Sequence, residues 1–185
     1  MAAVKFYIIF CVLSVFLILI SRRSLLHPYS HGFYRFLGWE CLLWLIINNI
    51  LFWFDEPLAI SQIISWIFLM YSLVLLIPGI TMMSKSGKAG ESREDSTLYG
   101  FEKTTELVET GIFKYVRHPL YGSLLFLTWG VCLKNPELIV LIISILASIF
   151  FYTTAVIEEK EDIEYFGDKY KVYIKRSKMF IPLIF

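Results

Sequence analysis

Five apolar runs, at residues 2–20, 36–54, 58–80, 119–133 and 138–157, constrain this chain more than any other feature. A helix needs about 20 apolar residues to cross a hydrocarbon layer of about 30 Å. Within that layer a helix satisfies its own backbone hydrogen bonds, which an open sheet edge cannot do. Most of the runs approach that length; the fourth is short, and drawing in Tyr115 and Val116 extends it. The chain is 57% hydrophobic and only 18% charged, with a net charge of +1, which excludes an ordinary soluble domain and a nucleic-acid binder. The predicted fold is all-α: one polytopic integral membrane domain with about five transmembrane helices.

Charge sets the orientation. If the five runs all span, the segments after the first and third and the C-terminal tail share one side. All but Lys5 and Lys134 of the 17 Lys and Arg residues then fall there. The positive-inside bias predicts an outside N-terminus and a cytosolic C-terminus, and an even number of spans would destroy the segregation. Arg22-Arg23 follows the first run without a small-residue cleavage site, as after a retained helix rather than a signal peptide. Cys11, Cys41 and Cys132 all lie in apolar runs and read as packing residues, with no disulfide framework or metal site.

The domain divides into three N-terminal spans (1–80), a polar cytosolic segment (81–110), and a hairpin with a C-terminal helix (111–185). Gly87-Lys88-Ala89-Gly90 in the polar segment lacks the Lys-Ser/Thr ending of a phosphate loop. That segment is expected to act as a lid that orders on ligand binding. After Glu158 the pattern becomes charged, with Ile163, Phe166, Tyr170 and Tyr173 recurring every three or four residues, which predicts an amphipathic helix on the cytosolic membrane surface. The apolar end Met179-Phe180-Ile181-Pro182 is expected to tuck against the bundle. Pro78 and Gly79 are expected to end or kink the third span.

Lys134-Asn135-Pro136-Glu137 is too short to do anything but join antiparallel neighbours. The fourth and fifth spans therefore form a hairpin whose other two ends meet at the cytosolic face, with His118 and Tyr121 opposite Thr154, Glu158 and Glu159. Pro119 suits the first turn of a helix; His118 before it is placed to cap, and the N–H groups beyond are placed to bind a carboxylate or a phosphate. Glu158 and Glu159, where a helix leaves the bilayer, suit a cation or a ribose. Elsewhere, Glu40 lies within the second run, where ionisable groups are costly, and is placed to pair with Arg35. Asn48 and Asn49 read as interhelical hydrogen-bond residues. His27 and His31 are four apart, but Pro28 and Gly32 argue for a loop there and no third metal ligand is evident.

In order, Gly111-Ile112-Phe113-Lys114-Tyr115-Val116-Arg117-His118-Pro119-Leu120-Tyr121, a hairpin, Glu158-Glu159, Phe166-Gly167, Tyr170, Tyr173 and Pro182 resemble the isoprenylcysteine carboxyl methyltransferase family, part of a broad membrane superfamily that includes phospholipid methyltransferases. The resemblance covers about residues 104–182. It implies a small helical membrane enzyme that binds S-adenosylmethionine at its cytosolic edge and takes a lipophilic or small acceptor sideways from the lipid. Carried over by position, the cofactor pocket uses Thr105, Glu106, Leu107, Val108, Phe113, His118, Pro119, Leu120 and Tyr121, with Glu158 the acid nearest the reacting centre and no metal.

Two departures bear on the acceptor. The family carries an Arg four residues before the key acid, expected to hold a substrate carboxylate; here that position is Thr154, and a hydroxyl cannot replace a bidentate guanidinium. Arg117 is the residue placed to substitute. Phe113 stands where a Tyr is usual. The expected catalytic group is thus Glu158, Thr154 and Arg117, acting on a prenylcysteine-type carboxylate, a phospholipid amine or a small thiol. An amine must first lose a proton, which Glu158 or Glu159 can accept. Two other readings compete: an NADPH-dependent reductase related to membrane sterol reductases, for which the chain is short, and a non-catalytic membrane protein that retains the fold.

Overall fold

A computed structural model describes residues 2–86 and 105–182. Six α-helices follow in order: α1 (Ala2–Leu25), α2 (His31–Asn49), α3 (Ile60–Ser86), α4 (Pro119–Cys132), α5 (Leu138–Phe166) and α6 (Asp168–Arg176). Short 3-10 turns cover Ile50–Phe52 and Gly111–Lys114. Among the described residues there is no strand beyond a single parallel bridge between Val116 and Lys178. The chain is an all-α membrane protein, with α1, α2, α3 and α5 each long and apolar enough to cross a bilayer. The polar segment expected to form a lid, including 87–90, lies largely outside the described residues.

α4 has 14 residues and is about 21 Å long, short of the hydrocarbon layer. Its C-terminal carbonyls would therefore face lipid without partners, a costly state. Side chains from α2 and α3 meet them instead. Asn49 Nδ2 donates to the Val131 carbonyl (2.8 Å), Ser65 Oγ to that of Gly130 (2.6 Å) and Gln62 Nε2 to that of Lys134 (3.1 Å). All three donors are buried. Lys134, also buried, turns its Nζ onto Gln62 Oε1 (2.9 Å) and sits 3.8 Å above the Trp66 ring, so its charge is hydrogen-bonded and stacked on an aromatic face. Asn48 donates to Asn49 Oδ1 and so orients it.

α3 packs on α4, α2 on α5, and α1 on α2. Leu45, Leu69, Val131, Cys132 and Val140 form the core near the α4–α5 turn. The α2–α5 crossing is tight at Gly38, where a Cβ would come within 2.5 Å of the Phe151 ring. Ser30 caps α2, its side chain accepting from Phe33 N–H at 3.2 Å. The helix therefore starts at His31, and Gly32, read above as a loop residue, lies inside it. α3 runs through Pro78 to Ser86 rather than ending there. Glu40 Oε2 accepts from Ser14 Oγ of α1 (2.7 Å).

α5 has 29 residues, about 43 Å, so its last two to three turns, from about Glu158, extend past a 30 Å layer. Gly167, at φ +63°, ends it in a conformation that side-chain-bearing residues resist. α6 then turns back with Tyr170 and Tyr173 buried and Lys169, Lys171 and Lys175 exposed. Beyond α6 the chain lies beside the start of α4. Arg117 N–H donates to the Lys178 carbonyl (2.8 Å), His118 N–H to that of Met179 (3.1 Å), and Lys178 N–H to that of Tyr115 (2.9 Å). Met179 and Phe180 are buried against Tyr121 and Ala155.

Candidate functional site

The ends of α4 and α5 enclose a pocket with about 620 Å³ of empty space, its open mouth included. Of the residues singled out above, Leu107 and Val108 line it from the segment before the 3-10 turn, and Phe113 from the turn itself. Arg117, His118, Pro119, Leu120 and Tyr121 line it from the start of α4, and Glu158 from α5. Thr105, Glu106 and Thr154 are not among its walls. Thr154 is fully buried, its hydroxyl donating to the Phe150 carbonyl at 2.8 Å.

Successive helical residues point about 100° apart, and this divides the two adjacent acids. Glu159 Oε1 takes the Arg117 Nε–H at 2.6 Å and lies 3.3 Å from His118 Nε2. Arg117 Nη1 reaches on to the carbonyls of Ser177 (2.6 Å) and Ile174 (3.3 Å). That guanidinium thus ties α5 to the end of α6. Glu158 faces the other way, into the pocket, where the Tyr121 hydroxyl hydrogen-bonds to it and His118, His31 and Arg35 lie within electrostatic reach. Its Oε2 is buried with no hydrogen-bond partner, a state that costs about 1–3 kcal/mol in the absence of a ligand. His118 occupies the N-cap position but makes no side-chain capping bond. Its own N–H and that of Arg117 are taken by the C-terminal segment rather than left for an anion.

Sequence reasoning passed over several groups that complete the site. Asp162 and Phe166 line the pocket with Glu158; their spacing of four along one helix face was the available signal. Tyr170 closes the wall from α6. Burial pushes its hydroxyl far above the usual phenol range, with the nearby Asp162, Glu159 and Glu158 charges adding to the shift, so it stays protonated and able to donate. From α2 come fully buried His31, its Nδ1 2.5 Å from Glu161 Oε2, and nearly buried Arg35, over the Trp39 ring. The sequence offers His31 as a partner for His27 and Arg35 as one for Glu40, and only the α2–α5 crossing brings them within electrostatic reach of Glu158. A buried carboxylate oxygen awaiting a partner, with Asp162 beside it and Phe113, Tyr121, Phe166 and Tyr170 around it, suits a cation that carries flat, apolar surface.

The family model described as phospholipid methyltransferase matches residues 67–169, more than half of the chain. The chain belongs to the phospholipid methyltransferase family. The matched stretch runs from within α3 to the start of α6 and so contains almost the whole pocket of this family member. Methanethiol S-methyltransferase of Pseudomonas deceptionensis is 34% identical over 73 residues, 38% of this chain and 26% of that protein. Methanethiol S-methyltransferase 1 of Bradyrhizobium diazoefficiens is 30% identical over 86 residues, 46% of this chain and 30% of that protein. Protein-S-isoprenylcysteine O-methyltransferase of Schizosaccharomyces pombe is 32% identical over 131 residues, 67% of this chain and 55% of that protein. The likeness to isoprenylcysteine methyltransferases read from the Arg-His-Pro-x-Tyr element therefore holds. The chain spans between about a quarter and about half of the length of these curated relatives. No solved structure matches it.

Proposed function

We propose that this chain is an S-adenosylmethionine-dependent methyltransferase working at the cytosolic edge of a membrane on a small or lipophilic acceptor. The observation that carries the reading is Glu158, whose buried Oε2 has no partner inside a pocket walled by aromatic rings. When bound, the cofactor supplies an electrophilic methyl group on a positively charged sulfur. Glu158 and Asp162 would face that charge, and the rings of Phe113, Phe166 and Tyr170 would cover the flat nucleoside. Leu107, Val108, Pro119, Leu120 and Tyr121 would exclude water, which aids a direct displacement that is mostly a matter of alignment. Thr105 and Glu106 would act from the mouth. Arg117 would hold Glu159 and the C-terminal segment in place.

The acceptor follows from what stands near Glu158. Thr154 offers no bidentate cation, and the Arg117 guanidinium is shared among Glu159 and two carbonyls. Both features favour a small thiol over a prenylcysteine carboxylate, in line with two relatives named for methanethiol. An apolar crevice is lined by Leu125, Phe126, Tyr152 and Phe180, whose ring centroid lies 6.3 Å from that of His118 in the pocket wall, and it would admit an apolar acceptor. In the proposed topology 1–80 forms three spans and 111–185 the cofactor-binding part, with the N-terminus outside. Calorimetric titration of S-adenosylmethionine, S-adenosylhomocysteine and NADPH into detergent-purified protein tests the reading. Micromolar-range binding of the first two is expected; binding of NADPH alone, or of none, overturns it.

A further inference from the structure

Phe180 stands between two spaces. It is only 3% exposed and is buried against Tyr121 and Ala155. Its ring centroid lies 6.3 Å from that of His118, in the pocket wall, and 6.3 Å from that of Tyr152, in the wall of the apolar crevice. Among the described residues the pocket and the crevice share no wall residue. The crevice holds about 950 Å³ of empty space, its open side included. Tyr152 is 46% exposed within the apolar part of a spanning helix, so the crevice is reached from hydrocarbon rather than from water. Tyr121 of the pocket and Leu125 and Trp129 of the crevice recur every four residues on α4. One helix face therefore runs from pocket to crevice over about 12 Å, and the Phe180 ring lies across it. The ring is held there: a Cβ at Gly122 would come within 3.2 Å of the Phe180 carbonyl oxygen, so that glycine lets the segment seat on α4. Pairing of His118 N–H with the Met179 carbonyl ties the backbone one residue before.

We propose that Phe180 is the size filter on the acceptor's route from the lipid to the methyl donor: a short alkyl thiol passes the ring, and an acceptor with a long tail does not. The inference rests on the methyltransferase reading of the same pocket and on its preference for a thiol. The crevice alone is roomy enough for a long tail, so the restriction falls at the ring and not at the entrance. Phe180 thereby sets acceptor size from outside the walls of the cofactor pocket, while Glu158 and the rings around it hold the donor.

The test uses the full chain in detergent and compares methanethiol with octanethiol in the parent, Phe180→Ala, Phe180→Leu and Phe68→Ala. The readout is the ratio of the two kcat/KM values, in which partition of the long thiol into detergent cancels between parent and variant. The parent should favour methanethiol by about tenfold or more, and Phe180→Ala should erase most of that preference. Phe68 lines the crevice from α3, its ring 5.4 Å from that of Phe126. Phe68→Ala therefore enlarges the crevice without touching the filter and should leave the ratio within about threefold of the parent's. Equal use of both thiols by the parent overturns the filter, as does an unchanged ratio in Phe180→Ala. A ratio that Phe68→Ala moves as far as Phe180→Ala does overturns it too, since the whole crevice then sets the limit. Loss of both activities by the same factor in Phe180→Ala, with S-adenosylhomocysteine binding intact, makes Phe180 a structural residue and refutes the filter. If Phe180→Ala fails to fold, Phe180→Leu decides: it keeps an apolar side chain without the ring and should shift the ratio the same way by about threefold. No shift there sinks the proposal. A parent that binds S-adenosylmethionine but methylates neither thiol also refutes it; one that binds no S-adenosylmethionine sinks the methyltransferase reading itself, a different failure.

Discussion

Replacing Glu158 with Gln keeps the shape of the side chain and the Tyr121 contact while removing its charge, so it asks directly whether the pocket is built for a cation. S-adenosylmethionine and S-adenosylhomocysteine share nearly every atom, but only the first is charged at sulfur. Two unit charges about 5 Å apart at an effective dielectric of about 20 attract by roughly 3 kcal/mol. His118, His31 and Arg35 already offset part of the Glu158 charge, and water at the open mouth screens more. About 1.4–2.8 kcal/mol should remain, a tenfold to hundredfold effect. In parallel calorimetric titrations Glu158→Gln should weaken S-adenosylmethionine by that factor and S-adenosylhomocysteine by much less. Glu159→Gln, altering the acid that faces Arg117 at 2.6 Å, should leave the ratio of the two affinities within about threefold of the parent. If both ligands weaken equally in Glu158→Gln, or if Glu159→Gln shifts the ratio more, Glu158 does not face the sulfonium and the argument fails.

Other consequences test the frame around the site. Asn49→Ala removes the donor to the Val131 carbonyl in a buried setting and should cost about 1–3 kcal/mol, read as a lower midpoint in thermal unfolding in detergent; Asn49→Asp, which offers no N–H, should be no better. Gly38→Val drives a branched side chain into the Phe151 ring, already 2.5 Å from a Cβ at that position. It should cost about 1–3 kcal/mol and, by prising α2 from α5, weaken S-adenosylmethionine binding; a midpoint equal to the parent's would refute the tight crossing. Arg117→Lys keeps the charge but cannot reach Glu159, Ser177 and Ile174 together. Limited proteolysis should then cleave within 174–182 faster than in the parent.

How much of this was legible depended on whether a feature is local. The apolar runs, the tight Lys134–Glu137 turn and the Pro at the start of α4 are local, and they place Arg117 and His118 opposite Glu159 without any knowledge of packing. The ends of helices were harder to read. The fifth apolar run stops at Ile157, and the charged pattern after Glu158 predicts a separate surface helix holding Ile163, Phe166, Tyr170 and Tyr173. α5 instead continues unbroken to Phe166 and the break falls at Gly167, so only Tyr170 and Tyr173 lie on the following helix. That extension turns Glu158, Asp162 and Phe166 into one continuous face. His118 stands at the N-cap as expected, but its imidazole makes no capping bond and lies instead 3.3 Å from Glu159 Oε1 of α5, a contact that local sequence does not show. His31 and Arg35 were the least legible, since Pro28 and Gly32 suggest a loop, and only Gly38 against Phe151 reveals how closely α2 approaches α5.

The short α4 explains why the site can be rigid at the edge of a bilayer. A 14-residue helix with unmet carbonyls inside hydrocarbon would thin the bilayer, fray or draw in water. Here Asn49, Gln62 and Ser65 meet those carbonyls from two neighbouring helices, which pins the far end of the α4–α5 hairpin to α2 and α3. At the near end the pairing of 115–118 with 178–179 pins it again. A hairpin held at both ends cannot slide along its own axis, so the rotation of α5 at Glu158 is fixed. That rotation sends Glu159 to Arg117 and leaves Glu158 Oε2 in the pocket without a partner. The polar residues at the far end of the bundle are thus part of the reason a carboxylate can be kept buried and available at the near one.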